Sequence, residues 1–262
     1  MELTSADAKL FYEIEGQGAP LVLLHPFPAN HKFWRPAAAL LSQRYRLLMP
    51  DLRGHGDSQP GDGPAAMEKH GNDVLRVCDA AGMLKAIFVG VSIGGYILFE
   101  FWRRYRERVQ ALILCDTRAQ ADTAEGRANR LKSADDVLKH GPDAFLDEII
   151  QKLLGATTRT SRPDLVSTAR KMLGEMKPAG IAAVQRGMAA RPDSIPTLKT
   201  ITVPTLVMVG EEDTLTPRAD SELMHQHIDG SRFEIVARAG HFAPFEQHET
   251  AVAAMRRFLD KL

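Results

Sequence analysis

The chain has 262 residues, too many for a small stapled module and too few for two full domains at roughly 150 residues each. Apolar residues make up 44% and charged residues 25%, proportions of an ordinary folded domain that exclude disorder. Lys+Arg and Asp+Glu both number 33, so the net charge is zero; this removes the electrostatic basis for binding nucleic acid or an anionic membrane, and favours a small uncharged or weakly charged substrate.

The start, MELTSADAKL, lacks the basic residues and long apolar run of a secretory signal, and the charge-free stretch Ala86–Phe99 is too short and glycine-rich to cross a bilayer. Cys78 and Cys115 form neither a disulfide framework nor a metal knuckle; each reads as a reduced, buried small hydrophobe. The expectation is a cytoplasmic protein.

Strand-like runs alternate with helical patterns. Leu10–Glu15 and the apolar Leu21–His25 come first, then Arg46–Asp51, ended by the glycine-rich turn DLRGHGDS. Ala65–Ala80 has helical spacing and stops before Gly82. Ala86–Val91 is a strand, Gly94–Arg106 a helix, and Ala111–Asp116 and Thr205–Gly210 are strands. Thr216–Ile228 reads as a helix with Thr216 as N-cap and Pro217 in the first turn. Arg232–Val236 is a strand, and Phe245–Leu262 an amphipathic closing helix. Strands separated by helices predict a largely parallel sheet covered on both faces. Between Ala119 and Ile195 only helical periodicity occurs: Leu131, Val137 and Leu138; Phe145, Ile149 and Leu153; Leu165, Met172, Leu173 and Met176; and Ile181, Val184 and Met188 mark four helices. Lying between two strands, this region reads as a helical insertion.

Gly90-Val91-Ser92-Ile93-Gly94-Gly95 follows an apolar strand and opens a helix. G-x-S-x-G needs that setting, because a sharp strand-to-helix turn exposes the hydroxyl, and neighbouring backbone leaves no room for side chains two residues either way. A glycine-rich turn with a serine N-cap is the plainer alternative. No Gly-Lys-Ser/Thr follows, so this is no phosphate loop, and Gly61–Ala66, which formally fits G-x-G-x-x-A, follows no strand and reads as a surface loop.

A serine hydroxyl is a weak nucleophile and needs a base oriented by an acid. Asp213 lies beyond the strand TLVMVG and His241 beyond FEIVARAG, both at strand C-terminal ends, where open α/β sheets place ligand sites. Asp116 ends another strand, and Glu211 and Glu212 adjoin Asp213, so all three are rival acids. His225 and His227 point to different helix faces and make a poor metal pair; with no H-E-x-x-H, neither metal nor cofactor is expected. Oxyanion donors are expected from the Ile93 amide and from the loop His25-Pro26-Phe27-Pro28. Among Pro26, Phe27 and Pro28 only Phe27 carries an N–H.

In combination, LVLLHPFPAN, DLRGHGDS, GVSIGG, PTLVMVGEEDTLTP and AGHFAPFEQ resemble the α/β-hydrolase superfamily over essentially the whole chain, and within it the small carboxylesterases and 3-oxoadipate enol-lactonase-like hydrolases. The resemblance implies a mostly parallel eight-stranded sheet with a helical cap at 119–197, between core segments 1–118 and 198–262. It also implies a Ser92-Asp213-His241 triad and an oxyanion hole at Phe27 and Ile93. Serine at the elbow argues against the carboxylate-displacement chemistry of dehalogenases and epoxide hydrolases. One departure is His25-Pro26 where the family usually has His-Gly, which stiffens the loop. The expected activity is hydrolysis of a small ester, with enol-lactone hydrolysis or perhydrolysis by the same triad, C–C bond hydrolysis, and a non-catalytic ligand receptor as alternatives. Phe27, Trp34 and the cap residues are expected to shape an apolar acyl pocket.

Overall fold

The computed structural model describes residues 1–262. Eight strands form one sheet: β1 (Glu2–Ser5), β2 (Ala8–Glu15), β3 (Ala19–Leu24), β4 (Tyr45–Pro50), β5 (Ala86–Val91), β6 (Val109–Cys115), β7 (Thr205–Gly210) and β8 (Arg232–Val236), in the order β1-β2-β4-β3-β5-β6-β7-β8. The β1/β2 and β2/β4 pairs are antiparallel, and every pair from β4 to β8 is parallel. β5 (AIFVGV) and β7 (TLVMVG) are buried at every position, which is why their sequences are continuous apolar runs instead of alternating ones.

Twelve helices complete the chain: α1 (Arg35–Leu41), α2 (Met67–Ala80), α3 (Ile93–Tyr105), α4 (Ala124–His140), α5 (Asp143–Leu153), α6 (Ala156–Ser161), α7 (Pro163–Leu173), α8 (Pro178–Ala189), α9 (Ile195–Leu198), α10 (Arg218–His227), α11 (Ala243–Glu246) and α12 (His248–Leu259). α1 packs on α12, α2 on α3, and α9 touches both α3 and α10. In the insertion between β6 and β7, α4 lies along α8, and α5 meets α7. One contiguous apolar core joins strand residues such as Leu21 and Val89 to Val137, Leu146, Met172 and Val184 of the insertion. The insertion is therefore continuous with the core and not a second body beside it. No helix is long and apolar enough to cross a membrane.

Several sequence expectations shift. β1 carries no alternation and becomes a strand only through its antiparallel ladder with β2. α1, seven residues long and preceded by a 3-10 turn at His31–Trp34, is too short to show a period; the Asn30 side chain starts that turn by accepting from the Lys32 N–H at 3.0 Å. Helix α10 starts at Arg218 with Pro217, not Thr216, in the cap position, because the Thr216 hydroxyl is bonded to Asp213. The closing helix breaks at Gln247, beside Glu246, whose carboxylate turns inward to accept backbone N–H groups. Between β6 and β7 there are six helices rather than four, α6 and the short α9 being the additions, and Leu131 and Leu138 face solvent while Ala134 and Val137 make the buried side of α4.

Candidate active site

The elbow at Ser92 is built by close approach. A Cβ on Gly90 would sit 2.6 Å from the Gly94 carbonyl carbon, and one on Gly94 2.8 Å from the Leu24 oxygen, so side chains at either position collide with backbone. Ser92 itself has φ +54° and ψ −114°, a strained conformation for a residue with a side chain. Four bonds hold it there: the Ser92 N–H donates to the Cys115 carbonyl at 3.0 Å, and the Ser92 carbonyl accepts from the Gly95 N–H at 2.9 Å, the Tyr96 N–H at 3.3 Å and the Thr117 hydroxyl at 2.7 Å. Thr117 reaches that carbonyl only because Gly95 lacks a Cβ, which would stand 2.4 Å from the threonine oxygen. Gly90→Ala is expected to destabilise the fold by about 1–3 kcal/mol or more, as forced overpacking does. Urea unfolding measures this, and an unchanged midpoint would mean the turn is looser than drawn.

The ends of β7 and β8 bring the next two residues together. A Cβ on Gly210 would lie 2.1 Å from the Gly240 oxygen, so glycine lets the two loops touch. His241 Nδ1 then lies 2.8 Å from Asp213 Oδ2, with both side chains buried. Asp213 also accepts from the Leu215 N–H at 2.8 Å, the Thr216 N–H at 3.1 Å and the Thr216 hydroxyl at 2.6 Å. Burial opposes its ionisation, but the His241 ring and these donors prevail and hold the carboxyl below the usual range. An anionic Asp213 fixes the proton of neutral His241 on Nδ1, which leaves Nε2 as an acceptor. Ser92 and His241 line the same cavity.

The rival acids are engaged elsewhere. Glu211 accepts from the Arg238 N–H at 3.0 Å, and Glu212 from the Thr157 N–H at 2.8 Å. Asp116, at φ +44° and fully buried, accepts from the Gly210 N–H at 2.7 Å while its second oxygen has no partner. Burial and the neighbouring Asp213 charge push its carboxyl well above the usual range, which disfavours a second anion behind Asp213. Glu246, which sequence reasoning passed over, accepts from the N–H groups of Gly155 at 2.8 Å, Gly240 at 2.9 Å and Phe242 at 3.3 Å, pinning the His241 loop to the insertion. Its only sequence signal is a carboxylate inside the otherwise apolar run Phe242–Glu246.

Phe27 follows β3 and lines the cavity with Ser92, and its N–H has no acceptor in the protein. Ile93 opens α3, and the first N–H groups of a helix have no intrahelical partner. Beneath this loop lies the DLRGHGDS turn. His25 Nε2 accepts from the Leu52 N–H at 2.9 Å, so its proton sits on Nδ1, directed to the Pro26 carbonyl at 3.0 Å. The His55 ring meets the Phe27 ring edge-on, centroids 5.7 Å apart.

Trp34 is the exception among the expected site residues. It is fully buried, packs edge-on against Phe33 and does not line the cavity, because the 3-10 turn points it into the core. The cavity holds about 140 Å³ and is instead closed by Ile149, Leu153, Gln185 and Met188 of the insertion and by Tyr96 and Leu215. Arg118 and Arg130 also line it, so the apolar pocket expected from the sequence has charged groups in its wall.

The α/β-hydrolase fold profile matches residues 19–247. The chain is 28% identical over 261 residues to 3-oxoadipate enol-lactonase 1 of Acinetobacter baylyi, covering 97% of this chain and 94% of that protein. A thermophilic esterase from Thermogutta terrifontis, solved with malate bound, superposes with TM-score 0.96 at 37% identity over 100% of this chain and 98% of its own. The enol-lactonase from Burkholderia xenovorans LB400 gives TM-score 0.93 at 26% identity, over 99% and 100% of the two chains. With its elbow serine, parallel sheet and interstrand helical insertion, the chain belongs to the α/β-hydrolase family.

Proposed function

We propose that this hydrolase cleaves small carboxylic esters through an acyl-enzyme on Ser92. The observation that carries the reading is a strained serine that lines one cavity with a histidine whose Nδ1 is held by a buried carboxylate at 2.8 Å. His241 Nε2 takes the Ser92 proton as Oγ attacks the ester carbonyl. The Phe27 and Ile93 N–H groups stabilise the oxyanion, and Asp213 stabilises the imidazolium. Protonated His241 passes its proton to the departing alkoxide. Water, deprotonated by His241, then attacks the acyl-enzyme and releases the acid, returning the proton to Ser92. Residues 119–197 act as a cap that walls the site with Ile149, Leu153, Gln185 and Met188.

A lactone is a cyclic ester and follows the same steps, its alcohol staying attached to the acid product. The likeness to two proteins named enol-lactonases supports this second reading as well as the first. A fluorophosphonate probe is expected to label one residue, mapped to Ser92, and short p-nitrophenyl esters are expected to turn over. Labelling without turnover of any ester or lactone would point to a ligand receptor, and labelling elsewhere would overturn the proposal.

A further inference from the structure

We propose that the substrate carries a carboxylate apart from its scissile ester, and that Arg118 and Arg130 bind it; the inference rests on the ester-hydrolase reading of the same cavity. The wall of that cavity contains two guanidinium groups and no Asp or Glu. Arginine stays protonated at any working pH, so an occupant meets fixed positive charge in a small space whose lining is half apolar.

The surroundings neutralise this charge incompletely. Asp122 is shared, 2.6 Å from Arg130 Nε and 2.8 Å from Arg191 Nη1, so one carboxylate serves two guanidiniums. Arg191 lies behind the wall, its guanidinium 4.2 Å over the Tyr96 ring. Asp220 stands 3.2 Å from Arg118. Three cations thus face two anions. Donors remain as well: Arg118 uses Nη2 on the Leu215 carbonyl and Asp220, leaving Nη1, and Arg130 uses Nε on Asp122 and Nη1 on Gln185 at 3.0 Å, leaving Nη2. A guanidinium with spare donors matches a carboxylate, and the apolar residues Ile149, Leu153 and Met188 suit the methylene stem between carboxylate and ester. The volume, about 140 Å³, is close to that of a cavity of about 150 Å³ known to admit a six-carbon ring, which limits the buried part to roughly four to six carbons. The zero net charge of the chain does not bear on this, because the positive charge is local.

Two substrate pairs test the proposal and locate the carboxylate. Monomethyl glutarate against methyl 4-carbamoylbutanoate places acid or isosteric amide on the acyl side; acetoxyacetate against acetoxyacetamide places them on the alcohol side. In one pair kcat/KM for the acid is expected to exceed the amide by about ten- to hundredfold, the range of a charge-assisted hydrogen bond. Arg118→Met and Arg130→Met should bring that ratio towards one. So should Gln185→Glu, which keeps both arginines but supplies a competing carboxylate. Equal rates in both pairs, or a ratio untouched by all three variants, would overturn the inference and leave the esterase reading standing. If no ester turns over and no fluorophosphonate labels, the esterase reading fails instead. Binding to Ser92→Ala then decides this inference separately. Calorimetry on both pairs should show the acid bound at least tenfold more tightly than its amide in one of them, and equal affinities in both would overturn it.

Discussion

Ser92→Ala is expected to lower kcat on a short p-nitrophenyl ester by about 10⁴- to 10⁶-fold, with the fold and the urea midpoint little changed. The substitution removes only the hydroxyl; the bonds that hold the turn run through the backbone N–H and carbonyl of residue 92 and persist. Asp213→Asn should lower kcat by about 10⁴-fold for a different reason. An asparagine presents no anion to His241 Nδ1, so the ring loses both the tautomer that frees Nε2 and the charge that stabilises the imidazolium. KM should move little in either variant, because neither side chain closes the apolar part of the cavity. Asp116→Asn separates the two acids. Its carboxyl is bonded to Gly210 and burial opposes its ionisation, so an amide should keep most of the activity. A large loss in Asp116→Asn with retained rate in Asp213→Asn would reverse the assignment of the acid.

Stability is expected to fall steeply below neutral pH, led by three buried histidines. His25, His55 and His70 form a chain of rings under the Phe27 loop, with centroids 4.9 Å apart for the first pair and 6.5 Å for the second. Burial lowers His25 to about 4, helped by His31; it lowers His70 to about 3, helped by Arg53 and His25; and it takes His55 well below the usual value, helped by His25 and His70. Each folded-state value lies below the unfolded value near 6.5. Between the two, the unfolded chain binds protons that the native rings refuse, so this contribution is present above about pH 6.5 and is lost as the pH drops. Each ring contributes up to ~1.4 kcal/mol per pH unit, hence up to ~4 for three, against a total stability of roughly 5–15 kcal/mol. Asp116, Asp73 and Glu246, whose carboxyls burial raises, oppose the trend by taking protons in the native state. Urea unfolding at pH 7.5, 6.5 and 5.5 should show a net loss below ~4 kcal/mol, the three-ring maximum less what those carboxyls return. His70→Met should reduce that slope by about one proton, since neither His70 nitrogen has a partner to lose. A flat profile in the wild type would contradict neutral, buried rings.

The sequence by itself determined the alternation of elements and the place of the strained elbow serine. β5, β7 and β8 lie where their sequence runs predicted, and Gly90 is required by a contact with Gly94, four residues on. Such features are local, so spacing and side-chain size reveal them. Short elements were not legible, because β1 and α1 are formed by their partners rather than by any period of their own.

Only the tertiary structure decided among the acids. Glu211, Glu212, Asp213 and Asp116 all sit at strand ends, yet the loop geometry sends one to Arg238, one to Thr157, one to His241 and one to Gly210. Those choices are made by contacts between distant residues, which adjacent carboxylates in a sequence cannot distinguish. The same holds for Trp34, whose ring the 3-10 turn takes into the core, and for Arg118 and Arg130, which the insertion brings to the cavity wall. Net charge sums over the whole surface, whereas a substrate meets only the charges that folding gathers around it.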